Sequence, residues 1–122
     1  MDTWKVLLID DEEDFVTTLA ERLQLRGLQV KTATDGERGL GLVKSEPFHV
    51  VILDVLMPNM GGLEVLQRIQ TLNPLIPVIL LTGLGDTTEG YRGIQLGAFD
   101  YLMKPIDIDE LIQKIDEAAH NQ

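Results

Sequence analysis

The sequence has 122 residues, 44% of them hydrophobic and none of them cysteine. Residues 1–122 therefore read as one domain that can bury its own core, without disulfides, thiolate metal centres or cysteine nucleophiles. A net charge of −10, from 20 acidic against 10 basic residues, opposes binding of this domain to a nucleic-acid backbone; no apolar stretch approaches the roughly 20 residues of a membrane span, so a soluble cytoplasmic protein is expected.

An apolar run over 6–9 predicts a first strand, and Asp10, Asp11 and Glu12 follow it directly. Val16, Leu19 and Leu23 have helical spacing, closed by Gly27 as a C-terminal cap. A weaker strand is predicted over 28–32, then a turn at Asp35-Gly36. The run 50–53 predicts a strand leading straight into Asp54. Val65, Ile69 and Leu72 mark another helix, and Asn73-Pro74 a turn. A strand over 78–81 precedes Thr82. The helix predicted over 87–96 holds Gly90 and Gly93, which at about 1 kcal/mol each relative to alanine make it marginal and mobile unless they serve close packing. Gly97 caps it, and a weaker strand over 101–103 precedes Lys104. The last helix is the clearest, with Ile108, Leu111, Ile112, Ile115 and Ala119 on one side, Asp107 as N-cap and Glu110 in capping-box position.

Short apolar runs without alternation are strands buried on both faces, as in a parallel sheet. Their strict alternation with helices gives five βα units and an α/β, doubly wound sheet. Ligands of such sheets sit at the carboxyl ends of the strands, where this sequence places Asp10, Asp11, Glu12, Asp54, Thr82 and Lys104. Taken singly, each has an ordinary reading: Asp54 as a loop cap, Asp54 paired with Lys104, Thr82 as a strand residue. Together Asp10, Asp11 and Asp54 carry more negative charge than one lysine neutralises, and a buried unpaired carboxylate costs several kcal/mol. Oxygen ligands in that number suit Mg²⁺. With Thr82 and Lys104 nearby, the site would stabilise a transferring phosphoryl group, with a carboxylate as nucleophile.

Other chemistries lack their marks. The acidic stretch 10–14 would repel the phosphate of a flavin; Leu56 stands where a haloacid-dehalogenase-type phosphatase needs a second acid. Neither a Gly-x-x-x-x-Gly-Lys loop nor a Gly-x-Gly-x-x-Gly fingerprint occurs. His49 and His120 are isolated in the sequence and are assigned no role.

Four stretches in order, Val-Leu-Leu-Ile-Asp-Asp-Glu-Glu (6–13), Asp-Val-Leu-Met-Pro-Asn-Met-Gly-Gly (54–62), Leu-Leu-Thr-Gly (80–83) and Gly-Ala-Phe-Asp-Tyr-Leu-Met-Lys-Pro (97–105), resemble the CheY-like receiver domain of two-component response regulators. The resemblance implies a flavodoxin-like, five-stranded sheet of order 2-1-3-4-5 with five helices, an order for which CheY is itself a standard example. It implies Asp54 as phosphoacceptor, Asp11 as a direct Mg²⁺ ligand, Asp10 as a ligand through water, and the Leu56 backbone carbonyl as a further ligand. Thr82 and Lys104 would contact the phosphoryl oxygens, Tyr101 would be the switch aromatic unless it is an ordinary edge residue, and Lys104-Pro105 would be a cis peptide bond. Gly61 stands where an Asp is frequent, and Leu56 and Leu84 occupy positions that tune phosphoryl lifetime.

The function implied is a phosphorelay receiver that takes its phosphoryl group from a sensor histidine kinase or phosphotransfer protein. It would act on an output domain or partner protein through the face of the fourth helix, fifth strand and fifth helix, without turnover of an external substrate. The rival readings are an unphosphorylated interaction module and a small phosphotransfer enzyme. A homodimer is left open, as are the kinase, the output, and whether the chain stands alone or belongs to a longer protein. The last helix lacks the Arg-rich pattern of the winged-helix transcription-factor branch, which argues against that branch.

Overall fold

Strands without a polar side have to be covered on both faces, and the chain does this with five strands and five helices in alternation. The computed structural model describes residues 3–57, 60–83 and 87–121. In chain order the elements are β1 (Lys5–Ile9), α1 (Glu13–Leu25), β2 (Gln29–Ala33), α2 (Gly36–Ser45), β3 (Val50–Asp54), α3 (Gly62–Leu72), β4 (Val78–Thr82), α4 (Thr87–Gln95), β5 (Asp100–Met103) and α5 (Ile108–His120). All strand pairs are parallel, and the order is β2-β1-β3-β4-β5, as the resemblance implies.

Alternation along each buried strand divides the core in two. Val6, Leu8, Val50, Ile52, Ile79 and Leu81 pack under α1 and α5, whereas Leu7, Ile9, Val51, Leu53, Val78 and Leu80 pack under α2 and α3. The register then sets the strand ends side by side. Ile9 lies opposite Leu53, Asp54 opposite Leu81, and Thr82 opposite Met103, so the residues ending β1, β3 and β4 emerge along one edge.

The expected punctuation is largely present. Gly27 and Gly97 have φ of 91° and 107°, the left-handed conformation that favours glycine after a helix. Asn73 Oδ1 accepts from the Leu75 N–H at 3.1 Å, and Asp107 Oδ1 accepts from the N–H groups of Asp109 and Glu110 at 2.9 and 3.4 Å. Lys104-Pro105 is cis. Asp35-Gly36 departs from the expected turn: Asp35 is the N-cap of α2, accepting from the Arg38 N–H at 2.8 Å, and Gly36 is the first helical residue. Asx residues serve caps and turns by the same bond to a nearby N–H, so the dipeptide alone does not separate the two.

At the opposite end of the sheet from the acidic residues, Trp4 gathers the two histidines that are far apart in sequence. Its ring meets His49 and His120 edge-on at 5.2 and 5.1 Å, and its Nε1 donates to Asp116 Oδ1 at 2.9 Å.

The glycines of α4 are packing residues. Gly90 and Gly93 are the helix's buried positions among the described residues. A Cβ at Gly90 would stand 2.6 Å from the Tyr101 ring, and one at Gly93 would run into Leu80 Cδ1. The helix thus lies against β4 and β5 through its bare backbone, so stiffening it with two alanines would unseat it. Gly41 in α2 is the counter-example, with nothing within 4 Å of its would-be Cβ. Overpacking of a core costs about 1–3 kcal/mol, more than the ~1 kcal/mol gained by replacing a helical glycine with alanine. Gly93→Ala is therefore expected to lower stability in urea unfolding and Gly41→Ala to raise it. Two shifts of the same sign would contradict the packing account.

Candidate functional site

The site is assembled from strand ends. Asp10 follows β1 and is completely buried. Its backbone N–H is tied to the Ala33 carbonyl at 3.1 Å, and its carboxylate is claimed on both oxygens: Oδ1 accepts from the Glu12 N–H at 3.0 Å and Oδ2 from Lys104 Nζ at 2.9 Å. Asp11, next in the chain, is exposed. Asp54 ends β3 and is only 4% exposed. Oδ1 accepts from the Leu56 N–H at 3.2 Å, and Oδ2 lies 3.9 Å from Lys104 Nζ.

Asp10, Asp11 and Asp54 each bring one carboxylate oxygen into a group whose members lie within 4.8 Å of one another. The electrostatic consequence falls on Asp54. Burial first, then the charge of Asp10 and, less, of Asp11, push its carboxyl up from 3.8 to about 7, against the opposing pull of Lys104 and the Leu56 N–H. Burial works to lower the Lys104 ammonium, but hydrogen bonds to Asp10 and Glu12 and the charges of Asp10 and Asp54 hold it above its ordinary value.

Thr82 ends β4, fully buried, and its Oγ1 has no hydrogen-bond partner among the described residues. A plain strand threonine would not leave a hydroxyl in that state, because an unsatisfied buried polar group costs about 1–3 kcal/mol. Tyr101 is half-buried in β5. Its ring covers Gly90 and meets Tyr91 edge-on at 5.9 Å; burial, helped by Tyr91 and Asp100, raises its phenol above the usual value. Leu56 extends into solvent, 59% exposed, with its Cδ1 3.8 Å from the would-be Cβ of Gly83. Leu84, paired with Leu56 as a position that tunes phosphoryl lifetime, lies outside the described residues.

The structure therefore brings together Asp10, Asp11, Asp54 and Lys104 as anticipated, with Thr82 one strand away. It adds two neighbours without a role in the sequence reading. Glu12 Oε1 accepts from Lys104 Nζ at 3.1 Å, and the ammonium lies 4.3 Å from the centroid of the Phe15 ring. Their signal in the sequence was the i, i+3 spacing that places both at the start of α1. Lys104 is closer to Asp10 and Glu12 than to Asp54, so a simple Asp54–Lys104 ion pair does not describe the site. One ammonium faces three carboxylates, those of Asp10, Glu12 and Asp54. Hard oxygen donors with excess negative charge and a carboxyl raised to about 7 are a donor set that suits a divalent cation.

A parallel sheet of this order with an acidic cluster at the carboxyl ends of β1 and β3 defines a receiver-type α/β domain. The chain matches the response regulator receiver domain family over residues 6–116 and belongs to it. It is 43% identical, over 91% of its length and 43% of the relative's, to "Probable transcriptional regulator ycf27" of Guillardia theta. It is 34% identical, over 91% of its length and 46% of the relative's, to "Alkaline phosphatase synthesis transcriptional regulatory protein PhoP" of Bacillus subtilis. The chain thus spans about half the length of these curated relatives. Among solved structures, a response regulator receiver domain protein from Clostridium thermocellum superposes with a TM-score of 0.92 at 33% identity, covering 97% of this chain and 95% of that one. The relatives are named as transcriptional regulators rather than enzymes. No helix among the described residues is long and apolar enough to cross a membrane.

A carboxyl whose folded-state pKa lies above its unfolded one holds a proton in the native state that the unfolded chain has already released. Stability then falls as pH rises from about 4 to 7, and the deficit persists above that window. Asp54→Asn is accordingly expected to raise metal-free stability at pH 8 by on the order of 4 kcal/mol, about three pKa units at roughly 1.4 kcal/mol each, with the gain shrinking towards pH 4. Urea unfolding in chelator at both pH values measures this. An equal gain at both would assign the effect to something other than charge.

Proposed function

We propose that residues 1–122 act as one phosphorelay receiver in the cytoplasm, with Asp54 accepting a phosphoryl group from a sensor histidine kinase or phosphotransfer protein. The observation that carries this reading is the buried Thr82 hydroxyl without a partner among the described residues, one strand from a carboxylate that its surroundings leave incompletely neutralised. Mg²⁺ would be held by Asp11, Asp54 and the Leu56 backbone carbonyl, and through water by Asp10, whose two oxygens already serve protein donors. When bound, the ion neutralises charge on the phosphoryl oxygens.

The chain's own residues do the rest. An Asp54 carboxylate oxygen forms the new bond to phosphorus while the bond from phosphorus to the donor breaks. The Thr82 hydroxyl and the Lys104 ammonium donate to the phosphoryl oxygens as that happens. No external substrate is turned over.

Two surfaces serve partners. A groove of about 220 Å³ beside Lys104, lined by Phe15, Leu19, Pro105, Ile106 and Ile108 among others, suits an apolar segment of the phosphodonor. The α4–β5–α5 face exposes Tyr91, Ile94 and Met103 to an output domain, partner protein or second copy. Tyr101 links that face to the site, because its ring lies on α4 while its strand runs on towards Lys104. Direct nucleic-acid and membrane contacts are not part of this reading.

Acetyl phosphate with Mg²⁺ is expected to add one phosphoryl group, roughly 80 Da by intact mass, to the protein and none to Asp54→Asn. Modification of that variant would exclude Asp54. Isothermal titration with Mg²⁺ is expected to show a larger loss of affinity for Asp11→Asn than for Asp10→Asn, because only Asp11 is free to ligate directly. Equal losses would contradict the division of roles. Lys104→Ala is expected to keep Mg²⁺ binding but uncouple phosphorylation from changes on the α4–β5–α5 face.

A further inference from the structure

Glu12 occupies the N-cap position of α1, yet its side chain makes no capping hydrogen bond. Glutamate is not among the favoured N-cap residues, whose short side chains reach back to the first turn. Its carboxylate turns instead to Lys104, at 3.1 Å, and Phe15, three residues on, lies beneath the same ammonium at 4.3 Å. Asp10 supplies a third contact at 2.9 Å, while Asp54 Oδ2 remains at 3.9 Å. The lysine is held towards α1 on three sides.

We propose that Glu12 and Phe15 are positioning residues that form a resting seat for the Lys104 ammonium and compete with the phosphoryl group on Asp54 for it. The inference rests on the reading of Asp54 as the phosphoacceptor. To grip a phosphoryl oxygen the ammonium leaves Glu12 and the ring face, so the seat favours the unmodified state. Its strength is modest by construction. The Glu12 side chain is 65% exposed, and an exposed ion pair or cation–π contact shifts an equilibrium by about twofold to fivefold.

The seat has a spectroscopic signature that a merely structural role would not produce. Lysine Hε protons held over an aromatic face are shielded, so in the free protein the Lys104 Hε resonance is expected upfield of the other lysines. Glu12→Gln is expected to reduce that displacement and Phe15→Leu to abolish it. Saturating Mg²⁺ with beryllofluoride, which stands in for the phosphoryl group on Asp54, is expected to collapse it in the unaltered protein. At saturating Mg²⁺ the half-saturating beryllofluoride concentration should fall twofold to fivefold in Glu12→Gln. This exposed position keeps the test informative even where loss of the Phe15 ring disturbs packing. An unshifted Lys104 in the free protein overturns the seat alone. A shift that persists while beryllofluoride visibly binds, or an unchanged half-saturation in Glu12→Gln, overturns the competition. If beryllofluoride leaves every resonance of the site unmoved while the upfield shift is intact, the phosphoacceptor reading fails and the competition falls with it.

Discussion

Two buried carboxylates end adjacent strands, and the chain supplies one ammonium to share between them. That imbalance governs the site. Asp10 takes the better contact with Lys104 and a backbone N–H as well, which leaves Asp54 with a single N–H and a lysine at 3.9 Å. Burying a charge without full compensation is destabilising. A cation that relieves the repulsion is therefore favoured by the folded state, and the stability given up in its absence is the counterpart of affinity for it. Sheet order makes the arrangement unavoidable, since β1 and β3 are neighbours and Ile9 is in register with Leu53.

A chain of direct contacts runs from that site to the helical face. Thr82 and Leu80 belong to the same short strand, Leu80 fills the space left by Gly93, and Tyr101 fills the space left by Gly90. Small displacements at the end of β4 or in the Tyr101 ring thus bear on the backbone of α4 without a compliant side chain between them. Close-packed contacts of this kind transmit strain. They supply the physical connection between the site and α4 that a two-state element requires.

Most of the architecture was legible because it depends on patterns of local sequence. The unalternated apolar strands, the cap at Asp107 and the glycines at 27 and 97 each specify their element through a local rule. What was not legible depends on distance in space. Gly90 and Gly93 read as weakness in a helix, and only the Tyr101 ring and Leu80, contributed by other elements, make them tight packing positions. Asp35 was ambiguous because cap and turn use the same hydrogen bond. At the site, the convergence of Asp10, Asp11, Asp54, Thr82 and Lys104 followed from their places at strand ends. The attachment of Lys104 to Glu12 and Phe15 did not, because it depends on which of several nearby acids a flexible lysine reaches.

The borders of the sheet have a bearing on how copies of the chain can meet. β2 forms one border, with Gln29, Lys31 and Thr32 exposed, and Lys31 lies 3.8 Å from Glu46 at the end of α2. β5 forms the other and is only four residues long. Charged and abbreviated borders are poor templates for adding a strand from another molecule. Self-association by extending the sheet, the route that leads to fibrous aggregates, is thereby discouraged at both ends, and a reversible pairing is left to the helical surfaces, where it can be made and broken without disturbing the strands that carry the acidic cluster.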